Sequence, residues 1–468
     1  MAGVGRARPS GGNGEPFRLT IMTQGLFGQV ETNGHAPKIL GQRPHLTFRG
    51  NVALGRHGWL RLTPAYSLAL VRELLKQSGP DEFVLDPFSG TGTTPLACAS
   101  MAIRCHAVDI NPFLVWLGNL KLTRFDDGAA RAVKSAAACI ADKARDVDAQ
   151  AWKPDLHQIE KWWDAPTLQT LAALCDAIRN PTRDRADNIC DLLRIAFCRV
   201  MIQNANVSFG HQSMSFKKKR DEAELIAETP ARTANRIADA FVAAAIEIAD
   251  NIGVEPPTAD CQVFLGDSRD LPAVLPASEH RYTSVITSPP YPNRMSYIRE
   301  LRPYMYWLGY LSDGRAAGEL DWKAIGGTWG CATSMLNTWT PNGHGKIPFP
   351  HFDRIIHDIG QGHALLGRYV HKYFEDIKGH IVGLRQVLAP GARCHYIVGN
   401  SKFYDTMLPV EGIYAALFED AGFVDVSVET IRKRTSKKEL FEFVVHAHMP
   451  KAVVPKRRLR ETATRYGH

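Results

Sequence analysis

The chain has 468 residues, 45% of them hydrophobic and 22% charged, enough to bury one large core or two to three modest ones, which excludes disordered and fibrous classes. Its net charge of +8 sits in the ends: residues 1–50 carry six Lys/Arg against two Glu and residues 451–468 six against one, so the middle is close to neutral. No run approaches the roughly 18 apolar residues of a membrane span, and the first twenty residues lack the apolar segment of a signal peptide; a soluble, cytoplasmic protein is expected. The nine cysteines are scattered and never spaced C-x-x-C, which points to reduced thiols and to no metal site.

In chain order, residues 1–45, with Gly3, Gly5, Gly11, Gly12 and Gly14, read as a flexible arm. From Pro64 the apolar residues Leu68, Val71, Leu74 and Leu75 fall at helical spacing, and Gly79-Pro80 stops the helix. A short apolar strand, Phe83–Leu85, opens into Asp86-Pro87-Phe88-Ser89-Gly90-Thr91-Gly92-Thr93-Thr94 and a helical run; a second strand, Cys105–Val108, closes on Asp109-Ile110-Asn111-Pro112. Residues 123–257 read as a mostly helical insert, with Ser208–Arg220 an exposed loop inside it. Strands return at Val263–Asp267 and Ser284–Thr287, followed by a second insert, 311–368, without a clear period. The last part predicts a helix ending at Pro390-Gly391, a strand at Cys394–Val398, a helix at 410–422, and strands at Val424–Val428 and Leu440–His446. A basic connector rather than a helix joins the final two, so they should pair antiparallel on an otherwise parallel sheet.

Two glycines between a strand and a helix let a ligand lie against the backbone at the strand's carboxyl end. The loop lacks the GKS or GKT ending of a phosphate-binding loop, which disfavours nucleotide hydrolysis. Asp109 stands where an acid takes the two hydroxyls of a ribose, or where one caps the next helix. Asp267 has the same two readings, an adenine-amine acceptor or a turn cap. Thr287-Ser288-Pro289-Pro290-Tyr291 follows an apolar strand; its prolines donate no hydrogen bonds, hold the backbone extended and should leave carbonyls unpaired, and Tyr291 offers a ring on which a planar base could stack.

Together the D-P-F-S-G-T-G-T-T loop and S-P-P-Y resemble the paired signatures of the S-adenosylmethionine-dependent DNA amino-methyltransferases, S-P-P-Y being similar to the cytosine-N4 branch. The resemblance covers residues 46–122, 258–310 and 369–450, three parts of one catalytic domain. It implies an α/β fold, a Rossmann-like seven-stranded methyltransferase sheet with a large helical insert. It also implies S-adenosylmethionine as cofactor, held by Asp86, Phe88, Gly90, Gly92, Thr93, Thr94, Asp109, Asn111 and Asp267. The helix from Pro64 would pack beside the methionine part. Ser288, Pro289, Pro290 and Tyr291 would act on the exocyclic amine of a base flipped from double-stranded DNA. A site-specific cytosine-N4 enzyme is the leading reading, with adenine-N6 DNA methylation and RNA methylation as alternatives. A cognate restriction endonuclease in the same system is the further partner it suggests. Carbon-5 methylation needs a cysteine nucleophile, usually after proline, and no Pro-Cys occurs. The 123–257 insert is the candidate target-recognition region. Lys217, Lys218, Lys219, Arg220, Arg294, Arg432, Arg434 and the tail 451–468 are candidate phosphate contacts, or solvated charge runs. Asn293, Tyr297, Arg299, Glu300, Arg302 and Asn400 are further candidates to line the base channel.

Overall fold

The computed structural model describes residues 43, 46–62, 65–79, 81–145, 151–180, 186–208, 215–217, 229–277, 281–293, 296–327, 331–341, 346–434 and 439–451. The flexible-arm reading of residues 1–45 falls almost wholly outside this set, as do Lys218, Lys219, Arg220, Arg294 and the tail beyond Lys451.

Seven strands form one sheet: β1 (Phe83–Asp86), β2 (Arg104–Asp109), β3 (Cys261–Leu265), β4 (Tyr282–Thr287), β5 (Leu388–Gly399), β6 (Val424–Lys433) and β7 (Phe441–His448). Their spatial order is β3-β2-β1-β4-β5-β7-β6. The first five are parallel, with Val84 opposite both Cys105 and Ser284, whereas β7 runs antiparallel to β5 and to β6. This is the seven-stranded methyltransferase-type sheet expected, with its antiparallel end. Every residue of β1 is buried, as a central parallel strand covered on both faces requires.

On one face Val84, Ile286, Ile397 and Val444 pack under α1 (Leu68–Leu75) and α2 (Thr93–Ser100). On the other, Leu85, Val285, Tyr396 and Val445 meet the helices Ala364–Val387 and Val410–Asp420. The helix α3 (Pro112–Leu122) joins a second core with α4 (Ala129–Arg145), α5 (Ala165–Arg179), α6 (Asp187–Gln203), α7 (Pro230–Asp250) and α8 (Tyr297–Trp307). Local chemistry explains these helices. Asp164 and Thr229 cap α5 and α7 ahead of a proline in the first turn, and Ile237, Phe241, Ala245 and Ile248 give α7 its buried stripe. No described helix is long and apolar enough to cross a membrane.

Three details differ from the sequence reading. The second insert holds helices at Gly314–Lys323, Cys331–Thr338 and Phe352–Gly362; each is short, so its period is lost among the intervening Gly, Trp and His. Within Ser208–Arg220, Val207–Ser208 pairs with Ser215–Phe216 as a small hairpin. The sixth strand extends through Lys433, so Arg432 and Lys433 of the expected basic connector lie in the sheet.

Candidate active site

The strand order reverses between β1 and β4, so a crevice opens at the carboxyl ends of these strands. The glycine loop forms one wall. Asp109, ending β2, accepts from the Gly90 N–H (2.9 Å) and the Asn111 N–H (2.8 Å), tying the loop to the next strand. Asn111, not Asp109, caps α3 through the Phe113 N–H (3.0 Å). Gly92 enters α2 at φ +78°, where an added Cβ would stand 3.3 Å from Gly118 Cα. Gly92→Ala is therefore expected to cost about 1–2 kcal/mol of stability, read as a lower urea midpoint at unchanged slope.

Below the loop, the buried Asp86 carboxylate accepts from Thr287 Oγ1 (2.6 Å), the Phe88 N–H (3.1 Å) and the Tyr66 hydroxyl (3.1 Å). Burial pushes it up to about 6 against those hydrogen bonds. The Tyr66 hydroxyl also meets Thr94 Oγ1, which bonds to the Ile286 carbonyl. Asp86 and Thr94 are thus fully enclosed braces between β1, β4 and α2, and Thr93 is equally enclosed beside them. They lie under the cavity rather than on its wall, and Gly92 is likewise off the wall.

The cavity itself has a volume of about 300 Å³, at the lower end for small-molecule sites. Of the expected cofactor residues, Phe88, Gly90, Asp109, Asn111 and Asp267 line it; Ser288, Pro289, Pro290 and Tyr291 face them across it. Burial pushes Asp109 up to about 7, although the Asn111 and Gly90 N–H groups favour its charged form. Asp267 caps the turn after β3 and is gripped by Arg269, Nη2 to Oδ2 at 2.6 Å, while Arg269 also holds Asp376. Burial alone would raise Asp267; the Arg269 contacts outweigh it and hold the carboxyl below its usual range. Of its two readings the turn cap is the one seen, and it stands at the cavity edge.

The S-P-P-Y segment corrects the sequence reading in two respects. Pro290's carbonyl is paired, accepting from the Tyr373 hydroxyl at 2.8 Å, and Tyr373 contacts the Tyr414 hydroxyl at 2.8 Å. Among the described residues no donor reaches the Pro289 carbonyl. The Ser288 hydroxyl donates to the Ile397 carbonyl (3.1 Å), which spends its one hydrogen and leaves its lone pairs as acceptors. Nor is the Tyr291 ring open on both sides, since the Arg434 guanidinium lies over it at 5.0 Å from the centroid. The Tyr291 hydroxyl donates to Glu442 Oε1 (3.0 Å), and burial, then the Glu442 charge, raise it well above its ordinary value.

Arg432 and Arg434, expected as phosphate contacts in a loop, line this cavity instead. Arg432 Nε pairs with Glu442 Oε2 at 2.7 Å with both side chains largely buried, and Arg434 Nη1 donates to the Asn400 carbonyl at 2.9 Å. The cause is the length of β6, whose end carries these arginines inward. Lys217 is exposed beside the small hairpin. Asn293 and Tyr297 line the cavity; Arg299, Glu300, Arg302 and Asn400 do not. Arg302 lies over the Trp162 ring, and Asn400 accepts from the Phe441 N–H.

Sequence reasoning missed Tyr66, Tyr373 and Glu442, isolated residues whose use depends on pairings across the fold. It also missed the wall that the second insert supplies. Asp321, buried, accepts from Ser296 Oγ (2.6 Å), and Lys323 to Gly327 complete the lining. Gly326 stands against Tyr373 and Pro290, so this insert closes over S-P-P-Y. A glycine pair, Gly326-Gly327, was the signal available for such a close approach.

No family model matches the chain. Two solved structures of the rRNA methyltransferase aviRa from Streptomyces viridochromogenes align at 12% identity with TM-scores of 0.27 and 0.29, covering 83% and 85% of this chain and 87% and 92% of theirs. The type II methyltransferase M.BsoBI of Geobacillus stearothermophilus is 20% identical over 438 aligned positions, covering 84% of this chain and 83% of that protein. Along most of its length, then, the chain is similar to a methyltransferase.

Proposed function

We propose that the protein methylates the exocyclic N4 amine of a cytosine flipped out of duplex DNA, with S-adenosylmethionine as methyl donor. The observation that carries this reading is the order of groups along one sheet edge: Asp267 after β3, Asp109 on β2, the glycine loop after β1 and Ser288 after β4, all facing one cavity. A nucleoside with a reactive chain on its 5′ carbon fits that order. Asp267 meets the base edge, Asp109 accepts from the ribose hydroxyls, and the amino-acid end lies by the glycine loop and Ser67, the residue that caps α1 and lines the cavity. When bound, S-adenosylmethionine supplies a methyl group on a sulfonium, an electrophile that an amine displaces.

The chain's own residues prepare the amine. The lone pair of a cytosine N4 is delocalised into its ring. The Ser288 hydroxyl, turned into an acceptor by Ile397, and the Pro289 carbonyl take its two hydrogens, which favours a tetrahedral nitrogen aimed across the cavity. Tyr291, fixed by Glu442, stacks the base on the side opposite Arg434. The nitrogen loses its extra proton to solvent after transfer, so no covalent enzyme intermediate is needed. The likeness to a type II methyltransferase, together with S-P-P-Y, supports DNA as the substrate, and either insert can supply the surface that reads its sequence.

Incubating the protein with labelled S-adenosylmethionine and methylation-free genomic DNA, then resolving the nucleosides by mass spectrometry, is expected to give N4-methylcytosine. N6-methyladenine would keep the chemistry and change the base. Label on structured RNA in preference to DNA would overturn the substrate.

A further inference from the structure

Behind the glycine loop lies a group of basic side chains that the proposed chemistry does not use. Arg56, His57 and Lys121 are 2%, 9% and 1% exposed. Lys121, in the last turn of α3, donates through Nζ to the Thr91 carbonyl of the glycine loop at 2.8 Å. Arg56 donates its hydrogen bonds to carbonyls: Lys121 at 2.8 Å, Thr123 at 2.6 Å, and Ile252 from both Nε (3.0 Å) and Nη2 (2.7 Å). Among the described residues no carboxylate stands within ion-pair distance of Arg56 or Lys121. His57 is kept neutral, pushed down to about 3 by burial and then by the charges of Lys121 and Arg72.

Lysine and arginine are almost never fully buried unless paired. Carbonyl oxygens solvate a cation but do not cancel its charge, so an unneutralised positive field reaches the loop from behind. The residue before Thr91, Gly90, lines the cavity. A ligand with an anionic group at the loop would supply the missing counter-charge, and in the reading above the group that arrives there is the amino-acid end of the cofactor.

We propose that the buried Arg56–Lys121 pair is the counter-charge for the carboxylate of that amino-acid end, with Lys121 a positioning residue acting across the Thr91 peptide rather than by contact. The proposal rests on the cofactor reading and deepens it. Burial also pushes the Lys121 amine down to about 7, so an arriving carboxylate draws a proton onto it.

The test is binding calorimetry with S-adenosylhomocysteine and with its decarboxylated analogue, which keeps the amine. Lys121→Met is expected to weaken the first about tenfold while changing the second less than twofold, and Lys121→Arg to restore the difference in part. Equal losses for both ligands would make Lys121 a brace of the loop alone and overturn the proposal. Should the methionine variant fail to fold, the wild-type protein carries the test. At pH 8, in buffers of different ionisation heat, S-adenosylhomocysteine should take up more protons on binding than the analogue, and equal uptake would overturn the proposal. A wild type that binds neither ligand overturns the cofactor reading itself, and this inference with it.

Discussion

Ser288→Ala is expected to slow methyl transfer by about two to three orders of magnitude, the usual effect of removing one hydrogen-bonding group aimed at a developing charge. The affinity for S-adenosylhomocysteine should stay within about twofold. The side chain is small and half-buried, bonded to the Ile397 carbonyl and beside the Tyr291 hydroxyl, so its loss leaves little packing to repair. Single-turnover rates with saturating cofactor give the first number and calorimetry the second. An unchanged turnover would remove Ser288 from the chemistry and leave the Pro289 carbonyl as the remaining acceptor there.

Asp109→Ala should do the opposite, weakening cofactor binding about a hundredfold or more. Two charge-assisted hydrogen bonds to ribose hydroxyls, each worth about 1.5–3 kcal/mol, are lost. Its hold on the Gly90 and Asn111 N–H groups goes too, so a melting curve must accompany the titration. The pH dependence gives a second signature. Burial raises Asp109 to about 7, so the folded, ligand-free protein carries it largely protonated below that value. A carboxylate accepts from both hydroxyls, whereas the neutral acid has one fewer lone pair to offer. The gap in affinity between wild type and variant should therefore widen as pH rises from 6 to 8. The linkage to stability has the same origin: a raised carboxyl favours the folded state at low pH, and that contribution fades as pH climbs through about 7.

Much of the sheet could be read from the residues because strands β1 to β4 are short runs ended by Asp, Gly or Ser-Pro. The last strand pair was legible from its helix-free connection. Local pattern also located the glycine loop and S-P-P-Y, since both are contiguous and their chemistry is carried by backbone geometry. Contacts between distant residues were not legible. Nothing near Tyr373 marks it as the partner of the Pro290 carbonyl, and Arg432 and Arg434 in a run of charge read as surface until β6 turns them inward against Glu442 and Tyr291. Lys121 was hidden differently. A lysine in the last turn of a helix normally reaches solvent and favours the helix dipole; here the glycine loop and the Gly55–Gly58 turn cover it.

The hydrogen bond from Thr287 to Asp86 joins residues 201 positions apart, and four long helices lie between them with a core of their own. During synthesis the glycine loop leaves the ribosome well before its neighbouring strand exists, with a carboxylate at its base that has neither Thr287 nor the shelter of β4. Loop closure over such a distance costs only slightly more entropy than over a short one, but it ties the final step to a non-local pairing, which slows folding. The helical segment can collapse first and hold the two halves of the sheet near each other, so that the crevice is among the last parts of the molecule to take shape.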